Sequence, residues 1–252
     1  MIIKPAKYHL EHFDDEQGTP EWKANRRGAI TGSRFGDARG RLADKAEKVD
    51  KSGKVTPAVR GDFNAKAKLY ALNVARERCG GQAPEIFQTA PMRIGREQEV
   101  IARAEYERVR NVLVEPVGFF RTIDCLFGLS PDGLINDDGV LEVKVMVSSD
   151  TFYTSVVESI NDEFIDQCIG YLWLLGREWV DLVLWTPDMA DQGLGMIVIR
   201  IDRDEGKIEA LEADLMDFNG LVNQYESGIR KKIAEIKKQR LEAATTETKE
   251  VA

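Results

Sequence analysis

Histidine is nearly absent from this chain of 252 residues: His9 and His12 are the only two, both ahead of the body of the sequence. A zinc hydrolase or a serine–histidine hydrolase needs an imidazole among its working groups. Any chemistry therefore falls to carboxylates and lysines, and the two histidines read as a surface pair. Cysteine is also sparse. Cys79, Cys125 and Cys168 stand alone, without Cys-x-x-Cys spacing, which argues against a structural zinc site and a disulfide framework. No apolar run approaches the length of a membrane span, and the opening MIIKPAKYHL has no apolar signal region; cytoplasmic residence away from membranes is the expectation. Positive charge is short as well. A formal net charge of −8 disfavours a general nucleic-acid coat, although charge can be concentrated locally.

What is present is enough apolar residue, 43%, for a packed core. After a short extended segment, the sequence predicts a helix from Pro20 with Thr19 as its cap and Gly28 as its end. A second short helix starts near Ser33, capped by Thr31 or Ser33. The lysine-rich stretch 39–54, broken at Ser52-Gly53, reads as a solvated loop or as an arm. Helices are expected over 58–78, with Phe63, Ala67, Tyr70, Leu72 and Val74 inward, and over 92–110. Strands over 112–120, 126–129 and 140–145 form an antiparallel meander. Helices near 150–159 and 162–176 follow, then strands over 179–185 and 194–201. A last amphipathic helix runs from Asp202 to about Leu241, and the tail from Ala243 is polar. The pattern is one α/β domain, residues 1–242, with a mixed central sheet flanked by helices and a frayed tail over 243–252.

The stretch from Gly128 to Lys144, GLSPDGLINDDGVLEVK, carries the most chemistry. Asp132 sits in a Pro-Asp-Gly turn, and Glu142 and Lys144 follow on a strand. Alternation along that strand points both side chains one way and Val143 the other. Two carboxylates with a backbone carbonyl, that of Val143, form a hard oxygen site for Mg²⁺ or Mn²⁺, and the lysine can hold a water or offset phosphate charge. An acid-x-Lys triplet on a strand can equally be a solvated face, and a Pro-Asp-Gly turn only a turn. Upstream, Arg26, Arg27 and Ser33 lie at a helix start, where free N–H groups, a hydroxyl and guanidinium forks suit a phosphate. An ordinary capped helix with surface arginines fits that stretch too. Glu99 shares a helix face with Ala102, Arg103 and Tyr106, so it can reach a metal site or simply pair with Arg96 or Arg103.

The order Arg26, Ser33, Glu99, Ser130-Pro131-Asp132-Gly133, Glu142-Val143-Lys144, Gln167 resembles the YqaJ-type viral recombinase exonucleases, the family of phage lambda exonuclease in the restriction-endonuclease-like superfamily. The likeness runs from about Gln17 to Asp188. It implies a restriction-endonuclease-like core and a Mg²⁺-dependent, two-metal 5′→3′ exonuclease on double-stranded DNA ends. It further implies a ring-shaped homotrimer, a single-strand annealing protein as partner, and a phage or prophage origin in a bacterial host. Asp132 and Glu142 would be metal ligands with Glu99 extending the site. Lys144 would handle the nucleophilic water, with Gln167 beside it, and Arg26, Ser33 and Ser130 would hold the 5′-phosphate. The family's arginine just after the lysine has no counterpart, because Asp150 stands near that place; Arg27 or Arg96 are the alternatives. In a ring, Arg26, Arg27, Arg34, Arg39 and Arg41 are candidates for the inner surface. An endonuclease or nickase on the same core, or a non-catalytic DNA-binding module, are the competing readings.

Overall fold

The computed structural model describes residues 8–15, 17–49, 51, 54–82, 90–159 and 161–250. The Ser52-Gly53 break and the two ends of the chain lie outside them. In chain order the elements are β1 (Leu10–Phe13), α1 (Pro20–Arg26), β2 (Ile30–Thr31), a single 3₁₀ turn (Gly32–Arg34) and α2 (Phe35–Arg39). A small hairpin, β3 (Lys48–Val49) and β4 (Val55–Thr56), precedes α3 (Ala65–Arg78) and α4 (Ala90–Arg110). Then come β5 (Phe119–Thr122), β6 (Phe127–Leu129), β7 (Gly133–Ile135), β8 (Gly139–Val145), α5 (Ser149–Phe152) and a π turn (Tyr153–Glu158). The chain ends with α6 (Asp162–Leu175), β9 (Trp179–Trp185), β10 (Met196–Asp202) and α7 (Glu205–Glu250).

Two four-stranded mixed sheets replace the single central sheet expected. One has the order β1-β5-β6-β2, with β2 parallel to β6; the other has the order β10-β9-β8-β7, with β8 parallel to β9. The expected three-strand meander is therefore cut: β5 and β6 pair antiparallel, but β8 belongs to the second sheet. Ser130-Pro131 makes the break, since a proline has no N–H for the ladder. Pro116 and Gly118 likewise shorten the strand expected over 112–120, so that β5 begins only at Phe119. A Cβ on Gly133 would collide with Val114, so only glycine fits where the chain leaves the turn at Asp132.

Local signals place the helices well. Thr19 accepts a hydrogen bond from the Trp22 N–H at 3.2 Å, with Pro20 opening α1. Asn64 accepts from Ala67 N–H at 2.9 Å, which starts α3 several residues later than expected. On α3, Ala67, Tyr70, Ala71, Val74 and Ala75 are buried, while Leu72 faces out. Thr31 precedes the 3₁₀ turn but makes no capping bond with its side chain. α7 lays Ile208, Leu211, Leu215, Phe218 and Val222 into the main core and continues past the expected end at Leu241.

The second sheet is covered on both faces. Glu142, Val140, Leu182 and Leu184 look toward the main core beneath α6 and α7, while Leu141, Val143 and Val183 join a smaller core with Ala102 and Tyr106 of α4. This sandwich brings α4 and α6 to opposite sides of β8, at the end where the chain crosses from β6 to β7.

Candidate active site

A cleft of about 180 Å³ opens at that crossing. On one side it is lined by Asp132, Glu142, Val143, Lys144 and Gln167, with Glu99 reaching in from α4. On the other it is lined by Arg26, Thr31, Gly32, Ser33 and Ser130. The sequence pattern thus brings together nine of its ten site residues. Arg27 is exposed and does not line the cleft.

Glu142 is almost fully buried, with its side chain 4% exposed, and every bond it makes is to a donor. Lys144 Nζ lies 2.6 Å from its Oε1, Gln167 Nε2 donates to the same oxygen at 2.9 Å, and the Tyr171 hydroxyl donates to Oε2 at 2.6 Å. Gln167 also accepts from Lys144 Nζ at 2.8 Å, so one amide bridges the lysine and the glutamate. Its Nε2 also donates to the Tyr171 oxygen at 2.6 Å. Tyr171 sits one turn after Gln167 on α6. The sequence offered that i, i+4 relation, but a tyrosine on an apolar helix reads as core until its hydroxyl is seen on a carboxylate. Burial, then the charge of Glu142, holds the Tyr171 hydroxyl well above its ordinary range, so it stays a donor.

Asp132 is fixed from both sides. Its Oδ2 accepts the Val143 N–H at 2.6 Å, and its own carbonyl accepts from Arg103 Nη1 at 3.0 Å. Burial pushes the Asp132 carboxyl well above its usual range, and the charges of Glu142 and Glu99 push it further. Glu99 is raised too, first by burial and then by the charge of Glu142, with Arg103 and Asp132 acting against the rise. Carboxyls gathered this closely resist carrying charge together, which a nearby cation would relieve. Burial alone would lower Lys144, but the adjacent Glu142 and the nearby Asp132 outweigh it, and the ammonium is held charged.

The chemistry of this donor set fits a hard divalent cation: three carboxylates facing one cleft, two of them short of positive charge. The side chains are not pre-gathered into a cage. Among the described residues no group of three His, Cys, Asp or Glu side chains converges on one point. Both oxygens of Glu142 are held by Lys144, Gln167 and Tyr171.

At the other end of the cleft, the Arg26 guanidinium stacks on Trp22 at 4.1 Å and donates to the Thr31 hydroxyl at 3.2 Å. Burial lowers its pKa from the usual arginine value. Ser33 is exposed at the rim, and Ser130 donates to the Gly118 carbonyl at 3.4 Å. The guanidinium of Arg96 packs against Gly18, beside Gln17 at the cleft's edge. The other arginines named for an inner surface are already committed. Arg34 pairs with Asp37, Arg39 with Asp166 and Asp214, and Arg41 with Asp217, because acids on α2, α6 and α7 lie directly opposite them.

The model of the YqaJ-like viral recombinase domain matches residues 21–178, which span every residue of the cleft except Gln17. The chain belongs to this family. Proteins of known structure superpose on it. One is LHK-Exo in complex with dAMP, 27% identical, with a TM-score of 0.70 over 86% of this chain and 100% of that one. LHK-Exo from Laribacter hongkongensis, an alkaline exonuclease, is 26% identical with a TM-score of 0.68 at the same coverage. A phage related exonuclease from Haemophilus somnus 129PT, 16% identical, shares the fold, with a TM-score of 0.56 over 81% of this chain and 96% of that one. No curated protein sequence matches. The restriction-endonuclease-like α/β core expected from the sequence is the fold present.

Proposed function

We propose that this YqaJ-like chain is a Mg²⁺-dependent exonuclease that degrades one strand of double-stranded DNA 5′→3′ from an end, leaving single strand for recombination by annealing. The observation that carries the reading is the composition of one cleft: an acidic cluster with a lysine at one end, a guanidinium and a helix start at the other. A DNA end entering that cleft would meet phosphate donors first and carboxylates second.

In this reading Asp132, Glu142, Glu99 and the backbone carbonyl of Val143 hold Mg²⁺, with Mn²⁺ as a substitute. The ion supplies charge to offset the phosphate and Lewis acidity toward water. The chain's own groups do the rest. Lys144 has three N–H donors, two of them used on Glu142 and Gln167, which leaves one for an attacking water. Gln167 keeps the lysine and the glutamate in register. Arg26, stacked on Trp22 and so preorganised, takes two oxygens of a terminal phosphate, with Ser33 and Ser130 adding hydroxyls. Residues 1–242 act as one exonuclease domain, assembled as a homotrimer and serving a single-strand annealing protein in the cytoplasm of a phage host.

The test is digestion of linear duplex labelled at either 5′ or 3′ end, with and without Mg²⁺, beside a covalently closed circle. Early release of the 5′ label, only with metal and with the circle intact, supports the proposal. A cut circle would give the site to an endonuclease, and intact DNA throughout would leave a binding module.

A further inference from the structure

We infer that the far part of α7, from Arg230 to Glu242, is a second DNA contact: a basic helical arm that holds the phosphate backbone of the duplex outside the cleft. The inference rests on the nuclease reading for the identity of its ligand. The near part of α7 is an ordinary core helix, with Ile208, Leu211, Leu215, Phe218 and Val222 buried beneath α2, α3 and α6. Its last anchor to the body is Arg230, whose Nη2 donates to the Arg78 carbonyl at 3.1 Å. Every side chain from Arg230 to Ala243 is then exposed. At a helical rise of about 1.5 Å per residue, the arm extends roughly 20 Å beyond that anchor.

Charge on the arm runs against the rest of the molecule. Arg230, Lys231, Lys232, Lys237, Lys238 and Arg240 share this stretch with two acids, Glu235 and Glu242, on a chain whose net charge is −8, and Glu226 just before it pairs with Arg230. Residues seven apart lie nearly above one another on a helix. Arg230 therefore stacks over Lys237 and Lys231 over Lys238, and Glu235 and Glu242 lie along the flank of the second row, Glu242 3.8 Å from Lys238. Among the described residues, Lys231, Lys237 and Arg240 have no carboxylate within ion-pair distance. Several cations of the body are already paired. Arg34, Arg39, Arg41, Arg60, Lys66 and Lys68 are all neutralised by acids of this chain.

A rod of regularly spaced phosphates suits a distributed set of cations that need no exact geometry. An acidic protein partner would instead favour a broad apolar face on the arm. Ile233 and Ile236 are each 37% exposed and share their strip with Arg240, while Leu241, 70% exposed, lies on another face of the helix, so no broad apolar face forms. The arm also lies beyond residues 21–178, so it is no part of the shared family core.

The experiment compares the full chain with a variant carrying Lys231→Gln, Lys237→Gln, Lys238→Gln and Arg240→Gln. Binding to a labelled duplex long enough to pass beyond the cleft is read by fluorescence anisotropy across a salt series, with EDTA present to prevent cutting. The expected result is an affinity at least about tenfold lower at physiological salt, and a salt slope reduced by about 3 to 4, near the 0.9 per lost phosphate contact. Replacing the same four by Glu should weaken binding further. Circular dichroism should stay unchanged, because Gln and Glu are good helix formers. Digestion of a very short duplex that only fills the cleft should match the wild type in rate. Equal affinity and slope in wild type and variants would overturn the inference while leaving the nuclease reading intact. So would unchanged DNA binding with a changed mass in solution, which would give the arm to a second copy of the chain. If the wild type digests nothing, the nuclease reading falls, and the anisotropy still decides the arm.

Discussion

Lys144 and Glu142, two residues apart on β8, form an ion pair at 2.6 Å in which the carboxylate is 4% exposed and the ammonium 21%. Removing either side leaves the other buried without its charge partner. Lys144→Ala is expected to slow DNA digestion by about 10²–10⁴-fold, the range for loss of a positioned proton-handling group. Lys144→Arg should rescue little, because a planar guanidinium cannot place a donor as an ammonium does. Single-turnover digestion of linear duplex measures both. Activity within a few fold of wild type in Lys144→Ala would remove the lysine from the chemistry.

Tyr106 donates to Asp181 at 2.6 Å, and Arg200, stacked on Trp179 at 3.6 Å, grips the same carboxylate. Asp181 is fully buried, so this bond ties α4 to the second sheet. Tyr106→Phe should cost about 1–3 kcal/mol, the usual penalty for leaving a buried polar group short of a partner. Glu99 lies two turns earlier on the same helix, so the variant should also need more Mg²⁺ for half-maximal digestion. Urea unfolding and a Mg²⁺ titration separate the two effects; a stability loss with an unchanged Mg²⁺ requirement would confine Tyr106 to a structural role.

Arg26 is preorganised by Trp22 and Thr31. Arg26→Ala is expected to slow digestion of 5′-phosphorylated ends by about tenfold or more relative to 5′-hydroxyl ends, since a charge-assisted hydrogen bond contributes roughly 1.5–3 kcal/mol. Initial rates on the two substrates in parallel give the ratio. Equal slowing on both would make Arg26 a general backbone contact.

Asp214 gives a pH dependence of stability. Burial by itself would raise its carboxyl, but hydrogen bonds from Arg60 and Arg39 outweigh burial and lower it from the ordinary 3.8. A depressed folded pKa contributes stability that is fully present above the unfolded value and is lost as pH falls through the folded one. Wild type should therefore lose more stability than Asp214→Asn on going from neutral pH to below about 3.8. Chemical denaturation at pH 7 and at acid pH reads the difference, and parallel curves for the two proteins would count against the Arg39–Asp214–Arg60 cluster.

Much of the cleft was legible because its residues carry turn and strand signals of their own. Pro131-Asp132-Gly133 has to be a turn, and Glu142-Val143-Lys144 has to alternate. The division into two sheets was harder to read. The apolar patterns of β6 and β8 look alike, and nothing local says that Ser130-Pro131 ends one ladder and opens another. Leu72 was misplaced because two residues past Tyr70 it lies about 200° round the helix, whereas the buried stripe runs through Ala67, Tyr70, Ala71, Val74 and Ala75. Arg39 and Arg41 looked free because their partners lie on α6 and α7, more than a hundred residues away, whereas the pairing of Arg34 with Asp37, three residues on, was there to be read. Long-range pairing of charges leaves no mark in a one-dimensional pattern.

The break at Ser130-Pro131 has a consequence for where a cut would fall. Arg26, Thr31 and Ser33 stand beside the first sheet, whereas Asp132, Glu142 and Lys144 belong to the second. On the proposed reading, the strand end is gripped beside one sheet and severed beside the other, so the span between them works as a ruler. Only Ser130 and Pro131 join the rungs of that ruler along the chain at this point. A lengthened linker there should change the size of the released piece before it changes the rate at which bonds are broken.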